Sequence, residues 1–178
     1  MELPQVILVT ERDEPIASME KLEAHQRGFL HRAFSIFIFN KRGELLLQQR
    51  AMNKYHSGGL WTNSCCSHPA PGEETIVAAE RRLLEEMGFT TPLEKLFDFV
   101  YKASFTNGLI EYEFDHVFAG EYDGPVYVNK DEAMDFAFRS MEDINKEIRK
   151  TPVKFSQWFK VALPKVEEWW RTRYDIPA

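Results

Sequence analysis

Cysteine is nearly missing from this chain. Only two occur in 178 residues, and they are neighbours, Cys65 and Cys66. Adjacent Cα atoms lie about 3.8 Å apart, closer than an ordinary disulfide tolerates. Without a C-x-x-C spacing, zinc-finger and thioredoxin-like roles find no support, and two free thiols fit a reducing, cytoplasmic compartment. Positive charge is also scarce: 22 Lys and Arg face 28 Asp and Glu, a net charge of −6. That argues against nucleic acid as a partner, which needs a basic face. A small anionic ligand needs only a few local cations. No apolar run approaches the ~20 residues of a membrane span. The opening MELPQVILVTERDEP lacks the basic region and apolar core of a secretory signal. Repeats, low-complexity tracts and linkers are absent. What remains is a chain with 44% hydrophobic residues, enough for one domain over residues 1–178 with a sizeable core.

Residues 1–10 alternate weakly and read as a strand, and SMEKLEAHQRG at 18–28 as a short polar helix ending near Gly28. FSIFIF at 34–39 and ELLLQQR at 44–50 flank the turn NKRG, which predicts a hairpin. A long loop follows at 51–72, and loops of that length in compact domains are often functional. EETIVAAERRLLEEM at 73–87 predicts a helix closed by Gly88, with Ile76, Glu80, Leu83 and Met87 on one stripe widened by Val77, Ala79 and Leu84. LFDFVYKA at 96–103 and LIEYEFDHVFAGEY at 109–122 read as strands around Asn107 and Gly108, and PVYV at 125–128 as a short strand. Helices are expected at 141–150 and 155–174, the second with a bend at Pro164. The class is α/β (α+β) with a mixed sheet.

Four constellations carry chemistry. Glu111 and Glu113 are two apart in a strand, so their carboxylates share a face. A solvated face explains such a pair; so does a cation that relieves their repulsion. His116 falls on the opposite face and is expected to be structural or exposed. His25 and His31 frame QRGFL, and His68 follows the thiols; three imidazoles and two carboxylates would suit Mn²⁺, Fe²⁺, Co²⁺ or Zn²⁺. In extended backbone Cys65 and Cys66 point opposite ways, which sets Cys66 on the side of His68. Lys21, Arg50 and Lys54 form a candidate phosphate set with Arg82, which shares a helix face with Glu86 while Glu85 faces solvent. The Arg82 and Glu86 pair is either a plain salt bridge or a diphosphate and Mg²⁺ site. Trp61, Tyr101 and Trp158 default to core packing, though a Trp face also stabilises a cation.

TNSCCSHP at 62–69, YEFDHVF at 112–118 and FSQWF at 155–159 together resemble type I isopentenyl-diphosphate isomerases, a branch of the Nudix superfamily. The likeness runs over residues 5–172 and implies an α/β/α Nudix sandwich. The Nudix signature ends in R-E-U-x-E-E-x-G-U, where U is bulky and apolar; here RRLLEEMGF spans Arg81 to Phe89, with Glu73 on the first Glu. Arg82 replaces the metal-holding Glu of the hydrolases, which counts against the alternative, a pyrophosphohydrolase.

The resemblance implies the reversible 1,3-proton shift between isopentenyl and dimethylallyl diphosphate, a step of isoprenoid biosynthesis. It assigns one divalent metal (Mn²⁺ or Mg²⁺, alternatively Zn²⁺) to His25, His31, His68, Glu111 and Glu113. Cys66 and Glu113 become the proton-transfer pair, Tyr101 the hydrogen-bond partner of that glutamate, and Trp158 the active-site tryptophan. Glu86 takes a second ion, Mg²⁺, shared with the diphosphate, and Lys21, Arg50, Lys54 and Arg82 contact the diphosphate itself.

Overall fold

The structure, a computed structural model, describes residues 3–174. The ends of the expected domain, 1–2 and 175–178, lie outside the described residues, as do the first two residues of the strand expected over 1–10. The apolar stretch FSIFIF dictates the architecture, because both of its faces must be covered. It lies in strand β3 (His31–Phe39), the centre of a mixed sheet of nine strands among the described residues. Phe34, Ile36 and Ile38 pack on one face against Ala78, Ala79, Leu83 and Met87 of helix α2 (Thr75–Met87). Phe37 and Phe39 pack on the other against Phe159, Leu163 and Val166 of α4 (Gln157–Arg173), with Met141 and Ile144 of α3 (Met141–Lys150) beside them. Each such burial contributes about 1.5–3 kcal/mol. The result is the expected helix–sheet–helix sandwich.

On one edge β3 runs parallel to β8 (Ile110–Glu121), from His31 opposite Glu113 to Phe39 opposite Glu121. Strand β7 (Glu94–Ser104) flanks β8 antiparallel, placing Tyr101 opposite Glu113. The other edge of β3 is shared. It meets β1 (Gln5–Val9) at Leu8 and His31, β6 (Cys65–Ser67) at Phe34 to Ile36, and β4 (Leu45–Arg50) only at Phe39 and Leu45. The expected hairpin thus has its turn but a single pair; β6 wedges between its arms. The long loop at 51–72 is therefore not all loop, since it also carries β5 (Trp61–Thr62), paired with β4.

Other expectations are corrected. The helix expected from residue 18 starts later: β2 (Pro15–Glu20) pairs with β1, and α1 is Lys21–Arg27. The Glu20 carboxylate sets that boundary by accepting from the backbone N–H groups of Leu22 and Glu23 at 2.8 and 2.9 Å. The PVYV segment is no strand: Tyr127 N–H goes to Met87 O, and Asn129 N–H to Glu86 O. The missed strand is β9 (Ala133–Arg139), paired with β4. On α2 the buried stripe is Ala78, Ala79, Leu83, Glu86 and Met87, whereas Val77 and Leu84 are half-exposed. The 3.6-residue period admits either set, and the packing of β3 selects the smaller alanines. Pro164 lies inside α4, which continues through it.

Candidate active site

The β3–β8 register builds the centre of the site. His31 and Glu113 are cross-strand neighbours on one sheet face, and Glu111 lies two residues earlier on the same face of β8. Helix α1 brings His25 over them. Its C-cap Gly28 has φ +65, and a Cβ there would stand 3.0 Å from Ile110 Cδ1, so glycine suits this sharp turn from α1 into β3. His68, just past β6, completes the set. Its Nε2 is 3.0 Å from Glu113 Oε1, and His31 Nε2 is 3.6 Å from the same oxygen.

Donor atoms of His25, His31, His68 and Glu113 lie within 4.8 Å of one another. Glu111 is not in that quartet. It groups with His25 and His56, whose Nε2 is 3.1 Å from Glu111 Oε1. His56 was absent from the sequence-derived set, because it lies in an irregular segment where no periodicity fixes its direction. These groups could hold a divalent metal, and three features fit one. His25 Nδ1 meets Lys21 O at 2.7 Å and His31 Nδ1 meets Phe29 O at 2.8 Å, so each carbonyl holds the proton on Nδ1 and leaves the Nε2 lone pair pointing inward. His31 Nε2, His56 Nε2, His68 Nδ1 and Glu111 Oε2 are buried with no hydrogen-bond partner among the described residues. Burial also favours the neutral, ligating state of His25, His56 and His68. Burial first, then the charge of His31, lowers His25 to about 4. Burial lowers His56 and His68 to about 3, against the pull of Glu113. The carboxylates split. Burial and the neighbouring Glu113 raise Glu111 well above the usual range, whereas His31 and His68 overcome burial and hold Glu113 well below it.

A cluster of cations, Lys21, Arg50, Lys54 and Arg82, lines the same pocket. Burial, then the charges of Lys54, Arg82 and Arg50, lowers Lys21 from 10.5 to about 8. Three carboxylates balance the cluster, the exposed Glu85 accepting from Arg82 Nη1 at 2.6 Å. Arg82 Nη2 donates to Glu86 Oε1 at 2.7 Å and to Glu132 Oε1 at 3.0 Å, and Lys54 pairs with Glu132. Gln48 Nε2 donates to the other Glu86 oxygen at 3.1 Å, which fixes that carboxylate at the pocket wall. So Arg82 and Glu86 are a salt bridge and face the pocket at once, while Glu85 is exposed. Glu132 escaped sequence reasoning because the strand it precedes, β9, was missed.

Cys66 lines the same pocket. Its thiol donates to Asn63 Oδ1 at 3.1 Å and accepts from Trp158 Nε1 at 3.0 Å, with Ser35 Oγ at 3.6 Å. Burial, then Asp115, raises its pKa well above the usual thiol value, so it is a protonated S–H. Cys65 is fully buried among the α2 contacts, on the opposite sheet face. Asp115, the next inward residue of β8 after Glu111 and Glu113, accepts from Ser35 Oγ at 2.7 Å. The alternation that marked the two glutamates could have found it. Trp158 is buried and its ring lies 5.1 Å from the Arg50 guanidinium. The Tyr101 hydroxyl departs from expectation: it is buried without a hydrogen-bond partner among the described residues, and Glu111 rather than Glu113 is the carboxylate acting most strongly on it. Its ring meets Phe99 edge-on, with centroids 6.4 Å apart. His116 is structural, 2.9 Å from Asp13.

Residues 29–159 match the NUDIX domain. Isopentenyl-diphosphate Delta-isomerase of Pectobacterium atrosepticum is 48% identical over 171 residues, covering 96% of both chains. Isopentenyl-diphosphate Delta-isomerase 2 of Aromatoleum aromaticum is 52% identical over 162 residues, covering 91% of this chain and 86% of the relative. Among solved structures, the DR0079 protein of Deinococcus radiodurans superposes with a TM-score of 0.74 at 18% identity, over 90% of this chain and 98% of that one, which bears on the fold alone. The chain belongs to the Nudix superfamily and, within it, to the isopentenyl-diphosphate Delta-isomerase family.

Proposed function

We propose that this chain interconverts isopentenyl and dimethylallyl diphosphate in the cytoplasm, by adding a proton at C4 and removing one from C2. The observation that carries this reading is the composition of one pocket: a protonated thiol, a glutamate held ionised, and a cation cluster. Alkene protonation makes a tertiary carbocation, so an acid, a base and a dry, cation-tolerant wall are needed together. Cys66 and Glu113 are the proton-transfer pair, exchanging roles with the direction of reaction. The Trp158 ring, already beside the Arg50 cation, is the wall that tolerates C3 positive charge, worth up to ~2 kcal/mol. Tyr101 lends its hydroxyl to the carboxylate pair. Lys21, Arg50, Lys54 and Arg82 hold the diphosphate and keep the allylic product from losing it.

His25, His31, His68, Glu111 and Glu113 would hold one divalent ion, Mn²⁺ or Mg²⁺ with Zn²⁺ as the alternative, and Glu86 a Mg²⁺ shared with the diphosphate. Bound there, such ions supply positive charge that keeps the carboxylates ionised and neutralises the phosphates. Arg82 disfavours pyrophosphohydrolysis, because a guanidinium binds diphosphate and does not activate water. Proton NMR of the protein with isopentenyl diphosphate, Mg²⁺ and Mn²⁺ in D₂O tests the proposal. Deuterated dimethylallyl diphosphate is the expected product; inorganic phosphate or pyrophosphate in its place would overturn the isomerase reading.

A further inference from the structure

We propose that His56 is a further donor of the metal centre, giving it a fourth imidazole. The inference rests on the metal-centre reading above and concerns a residue outside that set. His56 lies between β4 and β5, in a segment without regular structure. Its ring is nevertheless only 6% exposed and held on three sides. Phe105 stacks on it at 4.6 Å and 12°, and Tyr55 and Trp158 meet it edge-on at 4.4 and 5.9 Å. The His56 carbonyl accepts from Arg50 Nη2 at 3.2 Å, and Nδ1 lies 3.2 Å from Ser57 Oγ.

Ser57 has φ +52, a left-handed backbone that side chains rarely adopt. Such strain persists only where the surroundings enforce it, and it clusters at ligand sites. What this turn delivers is His56 Nε2, 3.1 Å from Glu111 Oε1. Neither that nitrogen nor Glu111 Oε2 has a hydrogen-bond partner among the described residues. The group His25, His56 and Glu111 shares His25 with the group His25, His31, His68 and Glu113. His25 places the two groups side by side, and one ion drawing on both would have a wider donor set. Ligand atoms around a single ion bound at about 2.0–2.2 Å lie roughly 3–4 Å from one another; His56 Nε2 is 3.1 Å from Glu111 Oε1, His68 and His31 Nε2 are 3.0 and 3.6 Å from Glu113 Oε1, and the atoms of each group lie within 4.8 Å. A fourth nitrogen also shifts preference: Zn²⁺ and Co²⁺ gain from imidazole, while Mg²⁺ favours oxygen.

The test compares the full chain with His56→Ala, His56→Gln and His68→Ala. Each is loaded with Zn²⁺ and titrated with a competing chelator, and each is loaded with Co²⁺ for its d–d absorption. Thermal melts of the metal-free forms check folding, and His56→Gln keeps the volume of the ring's site should His56→Ala unfold. The expected result is a 10–100-fold loss of Zn²⁺ affinity in both His56 variants, with an altered Co²⁺ spectrum. If His68→Ala loses Zn²⁺ while the His56 variants keep both affinity and spectrum, His56 is not a donor and the metal centre stands without it. If no variant, His68→Ala included, weakens Zn²⁺, the metal-centre reading falls and the His56 donor falls with it.

Discussion

Cys66 and Cys65 show how far a single residue's surroundings decide its chemistry. Cys66 shares the pocket with Asn63, Ser35 and Trp158, whereas Cys65 fills the α2 layer. Cys66→Ala should lower turnover by about 10²–10⁴-fold or more while pyrophosphate binding persists, as steady-state kinetics and calorimetry would show. Cys65→Ser should keep turnover and lose about 1–3 kcal/mol of stability, because it buries a hydroxyl in an apolar layer; denaturant unfolding measures that loss. An inactive but folded Cys65→Ser would contradict the division of the two thiols. Lys21 gives the pH dependence. Below about pH 8 the folded chain bears the full cost of a charged, crowded Lys21; between about 8 and 10.5 it binds fewer protons than the unfolded chain, so this contribution to stability rises with pH. A bound anion favours the charged form. Pyrophosphate binding should therefore take up a proton above about pH 8 and weaken as pH rises. Calorimetry in two buffers of different ionisation enthalpy reads the uptake, and Lys21→Met should remove it.

At the scale of elements, what the sequence makes legible follows periodicity. The alternation in β8 sets Glu111 and Glu113 on one face, and the apolar run of β3 announces a strand buried on both sides. His56 and Glu132 lie where no period operates, so only tertiary packing shows that they enter the pocket. The missed β9 has a related cause: its burial is partial, and its pairing with β4 is non-local. On α2, Ala79, Leu83 and Met87 are buried as the periodicity predicts, whereas Val77, Glu80 and Leu84 lie outward and Ala78, outside the expected stripe, is buried against β3. The turn from α1 to β3 carries the clearest element-scale prediction. Gly28→Ala adds a Cβ at positive φ against Ile110, at a cost of about 1–2 kcal/mol. Since α1 carries His25, metal affinity should fall alongside the unfolding midpoint. Loss of stability with unchanged affinity would separate the turn from the site.

At the scale of the molecule, the donors come from α1, β3, the segment after β6 and β8, so one ion would tie together parts distant in sequence. An ion that binds only the folded chain stabilises it by about 2.7 kcal/mol at a hundredfold excess over Kd. In a domain of this size that is roughly 5–10 °C in Tm. Calorimetry with and without chelator should show the drop, and re-adding the metal should restore it. The sheet itself has one more consequence. It stands as a wall between the two thiols, with Cys66 in the pocket and Cys65 behind it, and the chain holds no other cysteine. A sulfenic acid formed at Cys66 has no internal thiol to condense with, so unless glutathione reaches it, oxidation proceeds to the sulfinic acid, from which there is no general return. Peroxide attacks the thiolate, and burial holds Cys66 as the S–H, so that loss is slow; once it occurs, repair falls to replacement by synthesis.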